Sequence, residues 1–107
     1  MRQRLREFIQ SLVDSCPQEG YIPFEEYAFQ ENVKTYLLDL CDLQPEDIGA
    51  FLGTTSFLET LKKLSGEHLL RLSSRTLLWL VEVERGLKLL REMLKHSQDV
   101  LSASLQQ

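Results

Sequence analysis

A chain of 107 residues, 43% hydrophobic and 26% charged, is enough for one domain and too short for two independent cores. Its net charge of −4 argues against a broad nucleic-acid footprint, which needs a basic surface. Its longest strongly apolar run, 77–81, falls far short of the roughly 20 residues that span a bilayer.

The first predicted helix covers 2–15, where Leu5, Phe8, Ile9, Leu12 and Val13 recur at the spacing of one helical stripe. Pro17 and Gly20 end it and open a loop through Pro23. A second helix begins near Pro23, with Glu25 and Glu26 in a first turn whose exposed N–H groups favour carboxylates. Its stripe is Val33, Tyr36, Leu37, Leu40 and Cys41, and Pro45 limits it. Residues 24–30 read either as the start of this helix or as a separate turn, with Phe24, Tyr27 and Phe29 as packing aromatics.

A short third helix is expected over 45–52, acidic at its start, with Ile48, Phe51 and Leu52 as its apolar side and Gly53 in the left-handed position after it. Ser56-Phe57-Leu58-Glu59 fits a capping box and opens a fourth helix, with Leu58, Leu61 and Leu64 as its buried face and Gly66 as its stop. A brief helix over 67–72 follows. The last and longest helix starts at Ser74 or Thr76 and runs past Val100, with a favourable Glu84/Lys88 pair. Within it 77–83, including Leu78 and Trp79, is apolar nearly all round, which demands cover on every side; a short strand is the alternative. The fold class expected is all-α: a compact bundle of five to six helices with a long C-terminal helix, in one domain over 1–107.

A helix of this length extends roughly 43 Å, more than a compact domain of this size needs. The positions Leu80, Val83, Leu87, Leu90, Met93, Leu94 and Leu101 therefore read as an interface, a seam between two copies of the chain. In the alternative, the first two helices fold back and cover the stripe as core.

No residues form a recognised nucleophile or phosphate-binding motif, so the protein is not expected to be an enzyme or to carry a cofactor. Cys16 and Cys41 read as free thiols, with Cys41 on an apolar helix face. Together with His68 and His96 they offer no close ligand pair, and no metal is expected. The basic N-terminus lacks a following apolar run, so no secretion signal is read there and a cytoplasmic location is expected.

One stretch, 45–56, resembles the first helix and turn of a bacterial helix-turn-helix regulator, in Gly49, Leu52 and Gly53, with 45–64 as the whole unit. That resemblance implies DNA contacts from Thr54, Thr55 and Ser56, with Lys62, Lys63, Arg71 and Arg75 as a nearby basic cluster. From Leu52 to about Leu77, with one gap, the chain is also similar to the D subunit of the bacterial flagellar master transcription regulator, an acidic helical dimer. The shared residues are Leu52-Gly53, Leu61, Leu64-Ser65 and Leu69-Leu70-Arg71-Leu72. The function expected is a non-catalytic protein–protein interaction module, an adaptor, chaperone or regulatory subunit that binds itself as a homodimer or another protein. A regulator contacting DNA through 54–63 is the alternative.

Overall fold

The computed structural model describes residues 2–18, 20–66 and 70–106, with side chains as far as His96. Among these the chain forms α1 (Arg2–Asp14), α2 (Phe24–Leu40), α3 (Pro45–Thr54), α4 (Phe57–Ser65) and α5 (Ser74–Gln106), and no strand. The all-α architecture with a long last helix is as expected, and the strand alternative over 77–83 is excluded by α5.

The stripe of α1 delivers Leu5, Ile9 and Val13 to the core, with Phe8 and Leu12 half-buried beside them. α2 runs back along α1, so that the Arg2 guanidinium at the start of α1 donates to Gln44 Oε1 just beyond the end of α2, at 2.7 Å. α2 is continuous from Phe24, and Pro23, extended at φ −58° and ψ 152°, precedes it. Of the three aromatics expected to pack there, only Phe29 reaches the core; Phe24 and Tyr27 face outward.

α3 extends to Thr54, so Gly53 is helical and not the left-handed residue expected after the helix. That face instead carries α5: a Cβ on Gly49 would touch Leu94, and one on Gly53 would touch Arg91, each at 3.8 Å. Two residues later Ser56 caps α4 through the Leu58 N–H, at 3.2 Å. From that cap, Phe57, Thr60, Leu61 and Leu64 fall on the side packed against α2, and Leu58, one position off this stripe, is exposed rather than buried. Gly66, at φ 77°, ends α4 as expected. The helix expected over 67–72 is absent from 70–73, which is irregular; 67–69 lie outside the described residues.

α5 spans 33 residues, about 50 Å at 1.5 Å per residue, and sets the 57 Å long dimension of the molecule. Its start lies beside α2, where the Gln30 amide donates to Thr76 Oγ1 at 2.9 Å. Its next turns face α1: the Trp79 indole N–H donates to the Leu12 carbonyl, at 2.9 Å, one of the carbonyls at the end of α1 that lack an intrahelical partner. Gly86 sits under Leu12, where a Cβ would come within 2.7 Å of a Leu12 methyl, so the glycine lets α1 approach. α3 then covers the following turns in the opposite direction, Gly53 beside Arg91 and Gly49 beside Leu94.

This arrangement corrects the expected seam. Leu80, Val83, Leu87, Leu90 and Leu94 are all 7% exposed or less and belong to the core of a single chain, with α1, α2 and α3 over them. α3, which the spacing alone did not place in that cover, spans the stretch concerned with its ten residues. Met93 is exposed, and the Leu101 side chain lies outside the described residues.

Candidate interaction surface

The core claims only one side of α5. On the other, Leu77, Val81, Leu89 and Met93 are 44–52% exposed and Leu78 is 67% exposed. The apolar circumference of 77–83 is therefore covered on the side of Trp79, Leu80 and Val83 and open on the side of Leu77, Leu78 and Val81, against the expectation of cover all round. Scattered surface leucines need no explanation, but a helix apolar on two faces does. Charges interleave on the open side, Arg85 and Glu82 among them, and the Glu84–Lys88 pair closes at 3.4 Å beside it.

A second exposed group comprises Tyr21, Phe24 and Tyr27, at the start of α2 and just before it. Tyr27 lines a 330 Å³ cleft with Pro17, Ile22, Gln30 and Lys34. In the same region α2 meets the start of α5 in a buried polar junction. Glu26 is 3% exposed, one carboxylate oxygen accepts from the Ser73 N–H, and the Ser73 hydroxyl lies 3.3 Å from Thr76 Oγ1. Glu26 thus serves two helix N-termini, as part of the first turn of α2 and as an acceptor at the first turn of α5. The sequence placed Glu26 at the first of these and gave no signal for the second, because residue 73 is remote in the chain. Glu26→Ala leaves the Ser73 N–H without its acceptor and is expected to lower unfolding free energy by about 1–3 kcal/mol. Glu26→Gln keeps an acceptor and is expected to restore most of that loss, as read by urea unfolding.

The residues suggested for DNA contact are only partly gathered. Thr54, Thr55 and Ser56 are contiguous at the α3–α4 turn, but the Thr54 hydroxyl donates to the Ala50 carbonyl at 3.1 Å and Ser56 is engaged as a cap. Lys62 and Lys63 are exposed in the last turn of α4, and Arg71 is exposed in the irregular segment after it. The cations lining the 160 Å³ cavity at the turn, with Thr55 and Ser56, are Lys88 and Arg91 from α5. Sequence reasoning missed these two because they are some 30 residues away in sequence on a helix assigned to another role. Tyr36 lines the same cavity between Phe51 and Phe57, with ring centroids 6.2 and 6.3 Å away. Burial pushes its phenol above the ordinary value, partly offset by a hydrogen bond with Thr60.

Both cysteines are free. Cys16 follows α1 and is buried, whereas Cys41, the one expected in the core, is half-buried at the end of α2. Burial raises the Cys16 thiol, with Lys34 lowering it and Glu31 raising it; burial also raises Cys41, with Arg6 lowering it and Asp42 raising it. Since the thiolate is the reactive form, both are expected to react with an aromatic disulfide reagent at neutral pH more slowly than a free cysteine. Cys41 reacts first, Cys16 only as the fold opens, and the rates rise with pH. A Cys16 rate equal to that in urea-unfolded protein contradicts its burial.

Among the described residues no group of three or more His, Cys, Asp or Glu is placed to hold a metal ion, and no helix is long and apolar enough to cross a membrane. His68 lies outside the described residues. Comparison with protein-family models, with curated proteins and with solved structures gave no match.

Proposed function

We propose that the protein is a non-catalytic helical interaction module, an adaptor, chaperone or regulatory subunit that docks through the outer face of α5. The observation that supports this is the two-faced helix: its inner face fills the core while Leu77, Leu78, Val81, Leu89 and Met93 remain open to solvent on the other. Leaving these side chains in water forgoes about 25 cal/mol for each Å² of apolar area that a partner would cover. The test places a photo-crosslinking amino acid at position 78, with position 10 on the polar side of α1 as the control. A discrete protein adduct from 78, absent from 10 and lost with Leu78→Glu when the binding is rebuilt from purified components, is the expected result. Adducts that are equal at both positions remove the surface.

A second reading, DNA contact by a regulator or regulator subunit, is favoured by one feature: α3 and α4 are joined by two residues, Thr55 and Ser56, and α4 exposes Lys62 and Lys63. It predicts salt-sensitive binding to duplex DNA that weakens when Lys62 and Lys63 both become alanine. The same affinity in the double variant sinks it. The net charge of −4 ranks this reading second.

A further inference from the structure

We infer that the cleft between α2 and the chain leading into it seats an arginine side chain from a basic segment of another protein, its guanidinium lying on the Tyr27 ring and donating to Glu31. This surface is separate from the outer face of α5 and does not depend on the docking proposed there.

Tyr21 is 94% exposed and Phe24 78% exposed, and apart from these two and Tyr27 no aromatic residue is exposed among the described residues. Charge says what kind of partner these rings suit. Residues 19–31 hold four glutamates and no lysine or arginine, while the rest of the chain carries equal numbers of cations and carboxylates. The whole net charge of −4 therefore resides in the stretch that displays the rings. Three cations temper it. Lys34 reaches Glu31 at 3.3 Å, the Arg75 guanidinium stands 3.6 Å from where a Cβ on Gly20 would be, and Arg71 is exposed in the segment before α5. The four carboxylates still outnumber them. Glu26 also adds a charge that salt screens poorly, because it is buried and its second oxygen has no hydrogen-bond partner.

An acidic partner is repelled here, and a cation is attracted twice, by the carboxylates and by the negative faces of the rings. Arginine suits this better than lysine, because its guanidinium is flat and weakly hydrated, so it stacks on a ring while its edge donates hydrogen bonds. The second and third turns of α2 supply the seat. Tyr27 and Glu31 are one turn apart on one helix face, and both line the 330 Å³ cleft. Glu31 is half-exposed, and Lys34 bonds to its Oε1, which leaves Oε2 to accept from a second cation. Gln30, buried, lines the same cleft; its amide donates to Thr76, and that bond leaves its carbonyl oxygen as an acceptor. Pro17 and Ile22 give apolar walls for the arginine stem.

The cleft is at the lower end of the roughly 300–1,000 Å³ that ligand pockets occupy, a size for one side chain rather than a large cofactor. The rings outside it decide the source of that side chain. Phe24 does not line the cleft, so a free small molecule seated there leaves it in water. A length of chain that runs from the cleft across the start of α2 covers it.

Fluorescence anisotropy of dye-labelled peptides against the full chain, from about 1 µM to 1 mM protein, tests it. The probe is a glycine–serine peptide with interspersed arginines, and matched peptides carry lysine or glutamate at the same positions. The arginine peptide is expected to bind, the lysine peptide several-fold more weakly and the glutamate peptide not at all. Binding is expected to weaken from about 0.1 to 1 M salt, as the Debye length falls from about 10 to 3 Å. Tyr27→Ala and Phe24→Ala are each expected to weaken it by about two- to fivefold, and Glu31→Gln by at least as much. Lys34→Met removes the competing cation and is expected to tighten binding several-fold, a sign opposite to that of a site for anions. All four variants are expected to keep the parent far-ultraviolet circular dichroism spectrum. Failure of the arginine peptide to bind overturns the proposal, as does a lysine peptide that binds equally well with Tyr27→Ala without effect, or a Lys34→Met variant that binds more weakly. Amide shifts of the labelled chain locate the contact, and they are expected within 20–34. Shifts that spare Tyr27 and Glu31 and fall along 77–93 overturn the cleft while leaving the outer face of α5 as a docking surface.

Discussion

Leu90→Glu is expected to unfold the protein, and Leu89→Glu, one residue away, to leave it folded. Leu90 is 1% exposed in the core, whereas Leu89 is half-exposed on the outer face of α5. A carboxylate at 90 loses its water without gaining a partner, because the residues around it in the core cluster are apolar. The buried charge and the lost packing together are expected to cost about 4 kcal/mol or more, against the 5–15 kcal/mol that holds a typical domain together. For a chain of this size the melting temperature is expected to fall by roughly 15 °C or more, if a cooperative transition survives. Surface substitutions usually stay within about 0.5 kcal/mol, and Leu89→Glu is expected there. The readouts are circular dichroism at 222 nm and emission from Trp79, the one tryptophan, which is buried beside α1. A folded, stable Leu90→Glu variant that has only lost its ability to associate would restore the seam and put the covering role of α3 in doubt.

The fate of these two leucines shows what was legible in the sequence. Periodicity located each helix of the structure and sorted α1 well, because α1 has a single apolar stripe and one side to bury. α5 is apolar on two sides, and periodicity reports which residues share a face without reporting what lies against it. The inner stripe and the outer face thus had similar claims to a partner, and the decision fell to α3, a ten-residue helix that contributes one fully buried side chain. Leu58 was misplaced for a related reason: whether the buried face of α4 takes residue 57 or 58 depends on where the helix docks on α2. Glu26 was legible as a helix-start carboxylate but not as the acceptor for Ser73, since contacts 47 residues apart leave no trace in local spacing. The α3–α4 turn, by contrast, was readable in outline because Ser56 carries its capping signal locally.

Ile48→Ala is expected to release α3 while α1, α2 and the first turns of α5 stay folded. Ile48 is the fully buried residue of α3, with Phe51 and Leu52 only partly covered. Truncating a buried isoleucine typically costs about 2–5 kcal/mol, and a ten-residue helix has little intrinsic stability to set against that loss. Leu37→Ala removes a side chain of similar size from α2, where the core also draws on α1 and α5, and its cost is expected to fall on the whole fold. Amide hydrogen exchange separates the two. In Ile48→Ala the amides of 48–54 are expected to lose protection by at least about tenfold more than those of Ile9 and Val33, along with those near Leu90 and Leu94 that α3 covers. In Leu37→Ala all of these are expected to fall together. Trp79 lies on the α1 side of α5, so its emission in Ile48→Ala is expected to stay native while the exchange pattern changes. Equal losses across α1 and α3 in both variants would mean that the bundle opens as one unit, with α3 coupled to the core through more than Ile48. A selective loss would identify α3 as the removable cover whose departure bares the inner stripe of α5 at Leu90 and Leu94.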